Sequence, residues 1–104
     1  MGRVDEKVAI VTGGAMGIGA AHCRALAAEG AKVVVCDIAD NQGAALAAEI
    51  GATYKHLDVS KEDQWAAVVA ETVASLGNID ILVNNAGIAA LTQSQQRALQ
   101  TGIE

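Results

Sequence analysis

Val8-Ala9-Ile10-Val11-Thr12 runs straight into Gly13-Gly14-Ala15-Met16-Gly17-Ile18-Gly19, and an alanine-rich segment reaching Glu29 follows without a break. The first five residues are β-branched or small and almost wholly apolar, as a strand covered on both faces requires. The glycines come where that strand must hand over to a helix. There they let the backbone turn tightly and approach a ligand with no Cβ in the way. Free amides at the start of the following helix would face an anionic group, with the helix dipole adding a favourable field. Gly19 would also let the helix lie close to the strand beneath it. A glycine-rich turn without a ligand is the competing reading, and the flanking strand and helix count against it.

Outward from this unit the same alternation repeats. Apolar or β-branched runs recur at Lys32-Val33-Val34-Val35-Cys36, Thr53-Tyr54-Lys55-His56-Leu57 and Ile79-Asp80-Ile81-Leu82-Val83, the third strand of the series being polar enough for a sheet edge. Segments of helical length separate them: Gly17 to Glu29 ends at Gly30, Asp40 to Ile50 at Gly51, and Lys61 to Leu76 at Gly77. A glycine just past a helix end supplies the left-handed stop. Ser60-Lys61-Glu62-Asp63 resembles a capping box with Asp in place of Glu. Alternation of this kind predicts an α/β fold, a Rossmann-type doubly wound parallel sheet with right-handed crossovers and spatial strand order 3-2-1-4. Residues 1–89 form the expected β-α-β-α-β-α-β unit. Residues 90–104, rich in glutamine around Gln93, Gln95 and Gln96, read as a weakly structured or short helical tail.

Composition narrows the function classes. The chain has 104 residues and a net charge of −5, with 52% hydrophobic residues and no proline. One domain with a real core follows from that length and hydrophobic fraction. A cationic footprint for nucleic acid is missing, and no apolar run reaches the length of a membrane span. The charged N-terminal segment followed by a short apolar run is unlike a signal peptide, so a cytoplasmic protein is expected. Cys23 and Cys36 read as buried free thiols, with a redox role for Cys23 the less favoured reading. His22 and His56 have no partners at metal-ligand spacing, so no metal site is assigned; His22 is read as surface or loop-contacting. Trp65 is expected to pack an edge of its helix or to sit at an interface.

Asp37 ends the second strand 18 positions after Gly19, where a dinucleotide site places an acid to accept hydrogen bonds from the adenosine ribose. Its carboxylate would repel a 2′-phosphate, and no Arg or Lys occurs within residues 13–19 or 38–42 to offset it, so NAD is favoured over NADP. The alternative is that Asp37 caps the loop before the second helix. Asp58 could accept from an adenine amino group while the Val59 amide donates to a ring nitrogen; alternatively Asp58 is an acid placed by the Ser60 cap. Asn84 and Asn85 could tie loops together or contact the cofactor, with Gly87 leaving room for a ribose.

These residues resemble the N-terminal, cofactor-binding half of a short-chain dehydrogenase/reductase. Thr12-Gly13-x-x-x-Gly17-x-Gly19 is similar to that family's phosphate loop, Asp58-Val59 to its adenine-contacting pair, and Asn84-Asn85-Ala86-Gly87 to its N-N-A-G motif. The resemblance covers residues 5 to about 89 and implies NAD-dependent hydride transfer between nicotinamide and an alcohol or ketone. The candidate cofactor-binding set is Gly13, Ala15, Met16, Gly17, Ile18 and Gly19 in the loop, Asp37 and Ile38 after the second strand, Asp58 and Val59 after the third, and Asn85, Ala86 and Gly87 after the fourth.

The family's catalytic residues are a Ser, a Tyr-x-x-x-Lys pair and usually an Asn beyond the N-N-A-G motif, and no residue of this sequence matches them. Tyr54, the one tyrosine, lies in the third strand with Asp58 four positions on. No catalytic residue is therefore assigned, and the chain by itself is expected to be inactive. A small-molecule substrate is expected only if further residues complete the site. The competing reading is a non-catalytic module that binds NAD or an adenine nucleotide; an S-adenosylmethionine-dependent methyltransferase is a third, unsupported by the N-N-A-G loop. A fourth strand with nothing beside it would expose an edge at residues 81–83, which predicts a homo-oligomer, association through that edge, or a tail folded over it.

Overall fold

The computed structural model describes residues 5–85. Seven elements alternate along them: β1 (Val8–Thr12), α1 (Gly17–Ala28), β2 (Lys32–Asp37), α2 (Asp40–Ile50), β3 (Thr53–His56), α3 (Glu62–Leu76) and β4 (Ile81–Asn84). All strand pairs are parallel and the sheet order is β3-β2-β1-β4. This is the Rossmann-like arrangement expected from the sequence. Ala86, Gly87 and the reading of residues 90–104 as a tail lie outside the described residues.

The period of two along each strand divides the core between the two faces of the sheet. Val8, Ile10, Val34 and Cys36 point to one side, where they pack with Leu57, Ile79 and the α3 residues Trp65, Val68 and Val69. Val11, Val33 and Val35 point to the other, against Cys23 of α1 and Leu46 and Ala47 of α2. Trp65 is therefore a core residue, 1% exposed, and not the edge or interface residue expected. It is the largest fully buried side chain of the described residues, and it fills the space between β1 and α3.

Helix stops fall at the predicted glycines, with Gly30, Gly51 and Gly77 all at positive φ. The α3 start differs from expectation. Its N-cap is Lys61, with no side-chain cap, because the Ser60 hydroxyl donates to Asp58 Oδ1 at 2.6 Å. Gln64 Oε1 instead accepts from the Asp58 amide at 2.8 Å, three residues before the N-cap, and ties the first turn of α3 to the segment that follows β3. β4 is placed by Asp80, whose amide donates to the Val8 carbonyl while its Oδ2 accepts from the Val8 amide, both at 2.9 Å. Among the described residues β4 pairs with β1 alone.

Cys23 and Cys36 are fully buried free thiols, as expected. Burial pushes Cys23 up to about 11 and Cys36 to about 12, from an ordinary 9.0. The fold thus favours the protonated thiols. Their contribution to stability is complete below pH 9.0 and declines as pH rises toward 11 and 12. At pH 8 the Cys23 thiolate fraction falls from roughly one in ten at 9.0 to roughly one in a thousand at about 11, so iodoacetamide should label Cys23 of the native chain about a hundredfold more slowly than that of the urea-unfolded chain. Mass spectrometry of timed samples checks this.

Candidate cofactor site

The carboxyl ends of the strands meet at one edge of the sheet. β1 sends its chain to α1 on one face, and β4, its neighbour on the other side, leads on from α3, which covers the opposite face. A crevice opens where connections diverge in this way, which is where ligands of doubly wound sheets sit. The loop of residues 13–16 lies along this edge. Gly14 donates to the Cys36 carbonyl at 3.1 Å, tying the loop to the end of β2.

Gly19 does more than approach the strand beneath it. A Cβ there would lie 1.9 Å from the Gly13 carbonyl oxygen and 3.0 Å from Gly14 Cα, so the first turn of α1 rests directly on the loop backbone. Gly17 is the opposite case: its φ is +59° and a Cβ would meet nothing within 4 Å. No side chain caps the start of α1 at Met16. This helix start offers main-chain donors and open space to an anion.

Asp37 sits at the centre of the edge. Its Oδ1 accepts from the Ile38 and Ala39 amides at 2.7 and 3.1 Å, and its Oδ2 accepts from the Ala15 amide at 3.0 Å. It caps its own loop, the alternative considered for this acid, and it also reaches across to the glycine loop, a contact the sequence did not suggest. The Ala15 amide is consequently engaged, and the anion-facing donors are those further into the helix start. A carboxylate has about four acceptor positions, so Asp37 keeps capacity on Oδ2 for a hydroxyl.

Asp58 is organised similarly. The Ser60 hydroxyl and amide donate to its Oδ1 at 2.6 and 3.0 Å. These bonds, the hydroxyl's first, hold its carboxyl below the usual range. Gly13, Asp37, Ile38, Leu57, Asp58 and Val59 together line a cleft of about 200 Å³. That is smaller than the roughly 300–1,000 Å³ of a pocket for a drug-sized ligand, and it suits one ring system with the remainder lying along the surface. Five of the sequence-predicted residues converge here; Leu57 was missed because its apolar side chain reads as core.

Among the described residues, Met16, Ile18 and Ile38 are the large apolar side chains left exposed, at 58, 72 and 64%. They lie in the glycine loop, the first turn of α1 and the turn after β2, all at the strand-end side of the sheet. On the β4 side, the buried Thr12 hydroxyl donates to Asn84 Oδ1 at 2.8 Å and accepts from the Asn85 amide at 3.2 Å. Asn85 Nδ2 lies 3.1 Å from His22 Nδ1. Asn85 therefore ties β4 to β1 and α1, and His22 contacts a loop as expected. The Tyr54 phenol is pushed upward by burial and then by Asp40, away from a tyrosinate that could move a proton near neutral pH.

Comparison with known proteins agrees with this geometry. A family model described as short chain dehydrogenase matches residues 7–104. The 3-alpha-(or 20-beta)-hydroxysteroid dehydrogenase of Mycobacterium bovis is 51% identical over 100 residues, covering 94% of this chain and 38% of the relative. Tropinone reductase-like 2 of Erythroxylum coca is 53% identical over 88 residues, covering 83% and 32%. Among solved structures, a hydroxysteroid dehydrogenase from Escherichia coli superposes with a TM-score of 0.78 at 38% identity, over 82% of this chain and 38% of that one. The gox2181 structure gives a TM-score of 0.84 at 26% identity, over 96% and 49%. The chain spans about 38% of the length of its hydroxysteroid dehydrogenase relative. Matched by that family model over residues 7–104, this chain belongs to the short-chain dehydrogenase/reductase family of oxidoreductases.

Proposed function

We propose that this chain binds the adenosine and pyrophosphate portions of NAD(H) and forms the cofactor half of an enzyme that interconverts an alcohol and a ketone. The observation that carries the reading is the convergence of Gly13, Asp37, Ile38, Asp58 and Val59 on one cleft at the strand ends. Ile38 and Val59 offer apolar walls to a purine, and Asp58 an acceptor for its amino group. Asp37 offers an acceptor to a ribose hydroxyl, and the open side of Gly17 admits the pyrophosphate against the start of α1. Asp37 as the charge nearest the ribose favours NAD over NADP, since no cation lies within residues 13–19 or 38–42 to take a 2′-phosphate.

When bound, the nicotinamide supplies the hydride donor or acceptor. What these residues do is bind and orient. The first turn of α1 holds the anionic centre, Asp37 and Asp58 fix the adenosine, and Met16, Ile18 and Ile38 shield its faces from water. Relatives named for hydroxysteroids, cyclopentanol and trans-4-hydroxycyclohexanecarboxylate support a ring-borne secondary alcohol as the substrate class. Proton transfer to that substrate needs side chains that this sequence does not match, so binding without turnover is expected of these 104 residues.

Calorimetric titration of the purified chain with NADH, NADPH and S-adenosylmethionine tests the proposal. NADH should bind, and at least about tenfold more tightly than NADPH, the effect of roughly 1.4 kcal/mol of charge repulsion. A folded chain that takes none of the three ligands would sink it, and preference for S-adenosylmethionine would redirect it to methyl transfer.

A further inference from the structure

Gly43 is buried on the fourth residue of α2, an interior position where glycine costs about 1 kcal/mol relative to alanine. Its missing Cβ is occupied. A side chain there would place a carbon 2.1 Å from Cε1 and 2.5 Å from Cδ1 of Tyr54, whose ring fills the space over the helix at this point. The ring carries its hydroxyl to the end of β2. Tyr54 Oη is 2.6 Å from the main-chain oxygen of Asp37 and 2.5 Å from Asp40 Oδ1. A phenol has one proton to donate, so the two acceptors share it. His56 Nδ1 donates to the same Asp40 oxygen at 2.7 Å. These bonds, that from Tyr54 first, hold the Asp40 carboxyl below its usual range.

We propose that Tyr54, seated by Gly43 and braced by Asp40 and His56, is a positioning residue that sets the discrimination between NAD and NADP by fixing the backbone under Asp37. The inference rests on the NAD reading above. Asp37 is held from both sides. Its carboxylate takes the amides of Ala15, Ile38 and Ala39, and its carbonyl takes the Leu57 amide at 3.0 Å together with the Tyr54 phenol. The carboxylate bonds alone would let the turn pivot with its side chain. The phenol bonds the main chain itself, across 17 residues of sequence, and so keeps the carboxylate where a 2′-phosphate would have to come. Without it the Leu57 amide alone holds this carbonyl, and Asp37 gains room to tilt outward, which relieves the repulsion toward NADP while loosening the grip on the ribose of NAD.

Tyr54→Phe keeps the ring and removes only the hydroxyl. NADH affinity should fall about five- to tenfold, the loss of one hydrogen bond, while NADPH affinity stays within about twofold, so that the preference narrows. Gly43→Ala keeps the hydroxyl but pushes the ring off its seat, and should narrow the preference in the same direction. Asp40→Ala, at an exposed position, does so more weakly and serves where either of the others fails to fold by circular dichroism. Titrations are run below each variant's melting range. A purely structural tyrosine would lower the melting temperature and leave the NADH-to-NADPH ratio at its wild-type value, and that unchanged ratio overturns the proposal. A wild-type chain that fails to bind NADH removes the functional reading first and this inference with it, so the two failures are told apart by the wild-type titration.

Discussion

Gly19→Ala should unfold much of the molecule, although alanine is the better helix former by about 1 kcal/mol. The added Cβ would stand 1.9 Å from the Gly13 carbonyl oxygen, 2.8 Å from its carbon and 3.0 Å from Gly14 Cα, all main-chain atoms. No rotamer change relieves such a contact. Either α1 lifts off the sheet, uncovering Cys23 and the apolar face around Val11 and Val35, or the loop retreats and breaks the Gly14 bond to Cys36 and the Ala15 bond to Asp37. A loss of about 3 kcal/mol or more is expected, at the upper end of overpacking effects. Urea unfolding followed by circular dichroism measures it, and a wild-type midpoint would show that helix and loop do not touch in solution.

Gly17→Ala is the companion variant. There the cost is only the left-handed backbone at φ +59°, about 1–2 kcal/mol, because the Cβ meets open space. That chain should fold and yet bind NADH poorly, since the space it enters is the space assigned to the pyrophosphate. Two glycines two residues apart thus separate fold from ligand.

Asp37→Arg is the second large effect. The arginine removes the acceptors of the Ala15, Ile38 and Ala39 amides and should cost about 2 kcal/mol in stability, softened because water reaches Ile38. On binding, it exchanges a repelling carboxylate for a guanidinium fork suited to a 2′-phosphate. NADH affinity should drop by about a hundredfold and the preference should turn toward NADPH, a swing of some 3 kcal/mol in cofactor choice. Competitive titration of the folded variant reads both numbers. Equal losses for the two cofactors would mean that Asp37 acts only through the loop it ties together.

Much of this architecture is written locally. Val8 to Thr12 and Lys32 to Asp37 are strands because β-branched residues crowd a helix and fit a pleated, two-sided interior. Gly30, Gly51 and Gly77 end helices because only glycine takes a positive φ there without strain. Parallel pairing follows from alternation plus the handedness of crossovers, and the order β3-β2-β1-β4 from the doubly wound pattern that a glycine turn after the first strand points to. The positions of Gly13, Asp37 and Asp58 at strand ends were predictable for the same reason.

What the sequence determined about this protein is therefore its order of elements, its sheet topology and the edge at which its ligand-facing residues gather. Tertiary structure alone decided which of those residues were already committed to one another. Trp65 went to the core because α3 packs on the sheet face that carries Val8, Ile10, Val34 and Cys36. Ser60 turned from its helix to Asp58. Asp37 reached Ala15, 22 residues away, and Tyr54 found the gap left by Gly43. Propensity and periodicity act over one or two turns of chain, whereas a hydrogen bond or a packing contact is chosen by whatever the folded backbone brings within about 3–4 Å.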